Sequence, residues 1–142
     1  MALHDVTSQI STQWRALTPV GSASPPYRLA RTDEEFEGEG AHRMFAHGLP
    51  SGGVVIEQSS ALTVYEFSWT SMLKISALRH DKTTLIAAVE NETHQLIASV
   101  ETTRDWPSGT RDILVTGFSV EIEPDDMAVI EIQIRAHIER TN

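Results

Sequence analysis

The sequence predicts a two-layer α+β domain in which a mixed or antiparallel β-sheet packs against a long amphipathic helix, with a short helix at the N-terminus. Three observations carry this. Residues 83–102 place Leu85, Ile86, Val89, Leu96, Ile97 and Val100 on one helical stripe. Near the C-terminus Ala128, Ile130, Ile132, Ile134, Ala136 and Ile138 alternate with Met127, Val129, Glu131, Gln133, Arg135 and His137, the period of a strand with two unlike faces. Between the predicted helices lies an extended run, residues 61–75, with Tyr65, Phe67 and Trp69 on one face. Helix, extended pair, long helix, extended pair is the order of a two-layer fold.

Each element has its local signals. Residues 5–17 repeat Val6, Ile10, Trp14 and Leu17 at helical spacing, with Asp5 or Thr7 as a cap and Pro19 and Gly21 as a stop. So short a helix needs tertiary support, so Trp14 is expected to dock on the domain. Residues 18–40 carry turn composition, and residues 21–40 read as a flexible loop. Within it Asp33, Glu34, Glu35, Glu37 and Glu39 place five carboxylates in seven positions, which repel one another and favour solvent. A cation-gripping acidic surface is the weaker alternative there. Residues 42–49 fit a strand with Arg43, Phe45, His47 and Leu49 on one face, followed by a turn at Pro50, Ser51, Gly52 and Gly53. Val54 to Glu57 fits a short strand or an ordered loop. Asp81 or Thr83 can cap the long helix, and Trp106-Pro107-Ser108-Gly109 turns the chain into a strand over residues 112–120. Glu123-Pro124-Asp125-Asp126 then links it to the last strand.

Composition limits the chemistry. The chain has 142 residues, suiting one domain over 1–142, and a net charge of -9 from 11 basic and 20 acidic residues. That sign disfavours non-specific binding to a phosphate backbone. With no cysteine there is no disulfide, thiolate nucleophile or cysteine-held metal. No basic-then-apolar leader opens the chain and no stretch has the roughly 20 apolar residues of a bilayer span, so the expectation is a soluble protein made in a cytoplasm, with no membrane partner.

No catalytic residue, cofactor site or metal site is expected. The six histidines, His4, His42, His47, His80, His94 and His137, form no metal-ligand spacing, although sheet pairing could bring His47 near His137. No serine sits in a nucleophile elbow. Gly38-Glu39-Gly40 and Ser51-Gly52-Gly53 lack the lysine and helix start of a phosphate cradle and read as turns. The Tyr65, Phe67 and Trp69 face could stack bases, but the few basic residues around it favour core packing beneath a helix.

Residues 62–140 resemble the tail-terminator and tail-completion proteins of long-tailed bacteriophages. Thr63-Val64-Tyr65-Glu66-Phe67 is similar to their central strand, Leu85-Ile86-Ala87-Ala88-Val89 with Leu96-Ile97-Ala98-Ser99-Val100 to their long helix, and residues 126–137 to their final strand. The resemblance is one of architecture, and no motif of that family maps onto residues 21–40 or 50–58. It implies a structural virion protein, not an enzyme: a hexameric ring of self-copies at the head-proximal end of the tail. Such a ring stops tube growth, touches the tail tube protein and head-tail connector proteins, and lets DNA through its lumen without specific binding. The face of the last strand carrying Met127, Val129, Glu131, Gln133 and Arg135 mixes apolar and polar residues as an interface does, and is the expected contact between copies. A head-tail connector or other minor tail protein is the alternative within the virion, and a small α+β enzyme or ligand-binding domain the alternative outside it.

Overall fold

The computed structural model describes residues 2–142, with backbone alone at Ala2 and Lys82. Chain order is α1 (Ala2–Ala16), β1 (Arg28–Leu29), β2 (Met44–His47), β3 (Ser51–Gln58), β4 (Leu62–Ser76), α2 (Lys82–Glu101), β5 (Thr110–Ile122) and β6 (Met127–Thr141), with 3-10 turns at Glu39–Ala41 and Ala77–Arg79. This is the predicted α+β fold: two helices and a six-stranded mixed sheet. The sheet runs β1-β2-β4-β6-β5. One half of β4's free side pairs with β2, through Leu73, Met72 and Ser71, and the other half with β3, through residues 63–68. Among the described residues, β1 and β2 form the one parallel pair.

Residues paired across neighbouring strands share a face. Phe67 with Ala136, Trp69 with Ile134, Leu73 with Ile130 and Ile75 with Ala128 therefore form one surface, and the helices cover it. Trp69, Leu73, Ile75, Ile130, Ile132 and Ile134 are buried there, each worth about 1.5–3 kcal/mol of transfer free energy. Of the aromatic run of β4, Trp69 is core and Phe67 packs at its margin, as expected, whereas Tyr65 is half-buried outside the core.

In α1, Val6, Ile10 and Trp14 are fully buried. Trp14 meets Phe45 edge-on at 5.1 Å and donates its indole N–H to the Leu96 carbonyl at 3.1 Å, so this large side chain leaves no polar atom unmatched. Asp81 caps α2 by accepting from the Thr84 amide at 2.8 Å, and that bond lowers the Asp81 pKa. Leu96 and Val100 enter the core, and Leu85, Val89 and Ile97 pack at its margin. Ile86, expected on the stripe, is 68% exposed, while Glu92 and Thr93 are buried. The inner face of α2 is therefore rotated from the apolar stripe, for a reason given below.

Two sequence expectations change in the first half. Leu49 lies beyond the short strand β2 and is exposed. The predicted turn at Ser51, Gly52 and Gly53 is instead the start of β3. There the two glycines, with φ of 90° and 106°, accommodate a register shift between Gly52 and Val54 against β4. Val54 to Glu57 thus belongs to a strand.

Candidate functional site

The sheet face turned away from the helices carries the residues expected at an interface. Met127 and Val129 do not stand free: they are 0% and 6% exposed. Directly opposite them on β4 are Ser76 and Lys74. The acidic segment folds over this corner. Lys74 Nζ donates to the Phe36 carbonyl at 2.6 Å, lies 4.5 Å from the Phe36 ring centroid and pairs with Glu123 at 3.3 Å, so this buried ammonium is fully engaged. Glu39 accepts from the Ser76 hydroxyl and the Arg79 guanidinium, which in that order hold its carboxyl below the usual range. Asp33, Glu34, Glu35 and Glu37 keep their exposed side chains. Residues 33–38 form turns with their carboxylates exposed, and Phe36 and Glu39 dock the segment on the sheet. Met127 and Val129, expected to be open to a neighbour, are instead buried.

Farther along the same face, Glu131, Gln133 and Arg135 are half-buried within a band of charge. His137 lies between Glu66, 2.9 Å from its Nε2, and Asp112, 3.3 Å from its Nδ1, while Arg135 stands 3.8 Å from Glu66. In the next row Arg111 of β5 pairs with Glu139 and reaches Glu57 of β3 at 2.7 Å. Between those carboxylates lies Val64, Cα-paired with both Glu57 and Glu139 and fully buried. Salt bridges over an apolar floor link three strands to the fourth. They raise the Arg111 pKa, Glu139 before Glu57.

Two polar clusters lie on the helix side. His47 Nδ1 is 2.7 Å from Ser71 Oγ, and its Nε2 is 2.9 Å from Ser11 Oγ. The tautomer with its proton on Nε2 satisfies every group: Ser11 donates to the Thr7 carbonyl and accepts from His47. Nδ1 then accepts from Ser71, which itself accepts from the Trp69 indole N–H. The result is a one-way hydrogen-bond chain from β4 through β2 to α1, and burial lowers the His47 pKa to about 4. His47 and His137 occupy opposite faces of the sheet, so pairing does not unite them. Among the described residues, no three His, Cys, Asp or Glu side chains group as a metal site requires.

The second cluster explains the rotated face of α2. Arg43, 3% exposed at its side chain, bonds Glu92 through Nε to Oε1 at 2.7 Å and through Nη2 to Oε2 at 3.3 Å. Its Nη1 donates to the Ser22 and Pro25 carbonyls. The Tyr27 hydroxyl lies 3.0 Å from Glu92 and 2.8 Å from Gln95, and burial, then the Glu92 carboxylate, push its pKa far up. Arg43 adopts φ 62°, a left-handed conformation rare for a side chain of this size. The cluster ties residues 18–27 and the start of β2 to α2. Nothing in the local sequence marks it, because its members come from segments 49 residues apart.

A different surface emerges at the sheet margins. β3 pairs with β4 alone and β5 with β6 alone, so each leaves one side of its backbone unpaired within the sheet. Among the described residues, seven of the eleven exposed large hydrophobic side chains lie in these two strands: Val54, Val55 and Ile56 in β3, and Leu114, Phe118, Val120 and Ile122 in β5. Sequence reading missed this surface because alternation shows which face is apolar, not which strand ends a sheet. The chain matches no protein-family model and no curated protein sequence. What the fold and this surface define is an α+β domain with two apolar margins.

Proposed function

We propose that this chain is a structural subunit of a bacteriophage virion, one copy of a ring that ends the tail tube on its head-proximal side and joins tail to head. The observation that carries the reading is the concentration of exposed apolar side chains on two unpaired strands. Long apolar sheet edges are templates for association, and isolated proteins usually blunt them with lysine, proline or short length. β5 has 13 residues and β3 has 8, and neither contains lysine or proline. The resemblance over residues 62–140 supplies the tail, its tube protein and the connector proteins as neighbours. The net charge of -9 supports passage of DNA without retention.

The test is assembly. Light scattering and electron microscopy of the purified protein should show closed rings, alone or on purified tails that lack it. Adding it to such tails and to filled heads should restore joining. Normal joining and tail length without the protein would end the terminator reading and move the connector or enzyme alternatives ahead.

A further inference from the structure

We infer that the joint between copies is a β-sheet continued across the boundary, with the β5 edge of one copy hydrogen-bonded antiparallel to the β3 edge of the next. This deepens the ring reading and rests on it.

Strand direction is the first argument. β3 runs antiparallel to β4, β4 to β6, and β6 to β5, so β3 and β5 point in opposite directions at opposite margins of one sheet. A second copy placed beside the first by a head-to-tail rotation brings its β3 against β5 in antiparallel sense. The order β3-β4-β6-β5 then repeats without a break in alternation, and the helix faces stay on the same side. Antiparallel pairing is also the more stable kind.

Side chains agree with direction. Val55, partnered with Tyr65, lies on the helix face of β3, and Phe118, Val120 and Ile122 lie on the helix face of β5. On the opposite face Val54 of β3 and Leu114 of β5 are the apolar members. Joining the edges covers apolar side chains on both faces, and backbone groups on both strands gain partners. A twofold β5-to-β5 contact would also be antiparallel, but it stops at two copies and leaves Val54, Val55 and Ile56 uncovered. The head-to-tail join uses both margins at once, and such a contact must close or continue as a filament.

The absence of cysteine makes the test direct. Ser51 and Gln58, near the ends of β3, and Thr116 and Ser119 of β5 are exposed, so cysteines there leave the core intact. Single variants and β3-plus-β5 double variants are treated with a short bifunctional maleimide. Double variants should give ladders that stop at the ring's subunit number, and single variants should give none. Dimers from a single Ser119→Cys or Thr116→Cys variant would overturn the head-to-tail joint in favour of the twofold one. Closed rings whose double variants all fail to cross-link would overturn the joint while leaving the ring reading standing. Ladders without an upper limit would uphold the joint and overturn the terminator reading. A protein that stays monomeric, with no cross-link on or off tails, overturns the joint. Val120→Lys, checked by circular dichroism for an unchanged fold, should weaken association about tenfold or more. Unchanged association in that folded variant would also count against it.

Discussion

The two sides of the sheet use the same chemistry, arginine against carboxylate, to different ends. On the helix side Arg43 and Glu92 are out of water and hold three chain segments through one guanidinium and one carboxylate. On the far side Arg111 spans Glu57 and Glu139, and Arg135 leans toward Glu66, with all of these side chains between 31% and 53% exposed. Water screens the second set, whereas the first has no solvent to fall back on. The same pair type is therefore a requirement of the fold in one place and a surface arrangement in the other.

The largest expected effect comes from breaking the buried pair. Glu92→Ala strands the Arg43 charge and should cost about 3–5 kcal/mol, read as a lower denaturation midpoint at constant slope. Replacing both partners, Arg43→Met with Glu92→Leu, should recover much of that loss, since the penalty lies in the unpaired charge. A double variant as weak as Glu92→Ala would show that Tyr27 and the carbonyls of Ser22 and Pro25 matter more than the pair. One turn farther along α2, Leu96→Ala tests ordinary packing and should cost about 2–5 kcal/mol. A loss under about 0.5 kcal/mol would remove Leu96 from the core.

Acid should act first on two histidines whose pKa values are lowered in the fold. His42 accepts from the Ser76 amide at 2.9 Å and is 3% exposed; burial, then Arg79 and Arg43, lower its pKa to about 4. His47 is lowered to about 4 by burial alone. Both are ordinary histidines near 6.5 when unfolded. Their neutral forms favour the fold above pH 6.5, and that contribution is lost as pH falls from about 6.5 to about 4 while the unfolded chain takes up protons. Each accounts for at most about 3 kcal/mol. Stability measured across this range should fall, and His47→Gln, whose amide can both donate and accept, should flatten the slope. An unchanged slope would mean that His47 titrates as freely in the fold as outside it.

The smallest effect belongs to the far side. Arg135→Ala should change stability by no more than about 0.5 kcal/mol, and salt should reduce even that. A larger loss would mean that the charged rows act as a network rather than as separate pairs.

What the sequence made legible was periodic. α1, α2, β4 and β6 announce themselves because each buries one face, and the strand spacing of β6 is that of a sheet backed by helices. The two-residue β1 does not, since it exists only through bonds from Arg28 to the Arg43 carbonyl and from Ala30 to the Phe45 carbonyl. The helix pattern does not mark the burial of Glu92, because its partners Arg43 and Tyr27 lie 49 and 65 residues away in the chain. Met127 and Val129 did carry a usable signal. Two apolar residues at one end of an otherwise polar face call for a cover, and Phe36, the lone apolar residue of the acidic run, is part of it.

Arg43 also fixes how little its own position can change. Its backbone conformation favours glycine, which lacks the clash that a β-carbon brings there. Its side chain is needed as a planar fork reaching one carboxylate and two carbonyls at once. Glycine would satisfy the first demand and abandon the second, while lysine would keep the charge but offer a point donor in place of the fork. No single residue improves one term without spoiling the other, so in a saturation library this position should tolerate fewer replacements than the fully apolar sites around it.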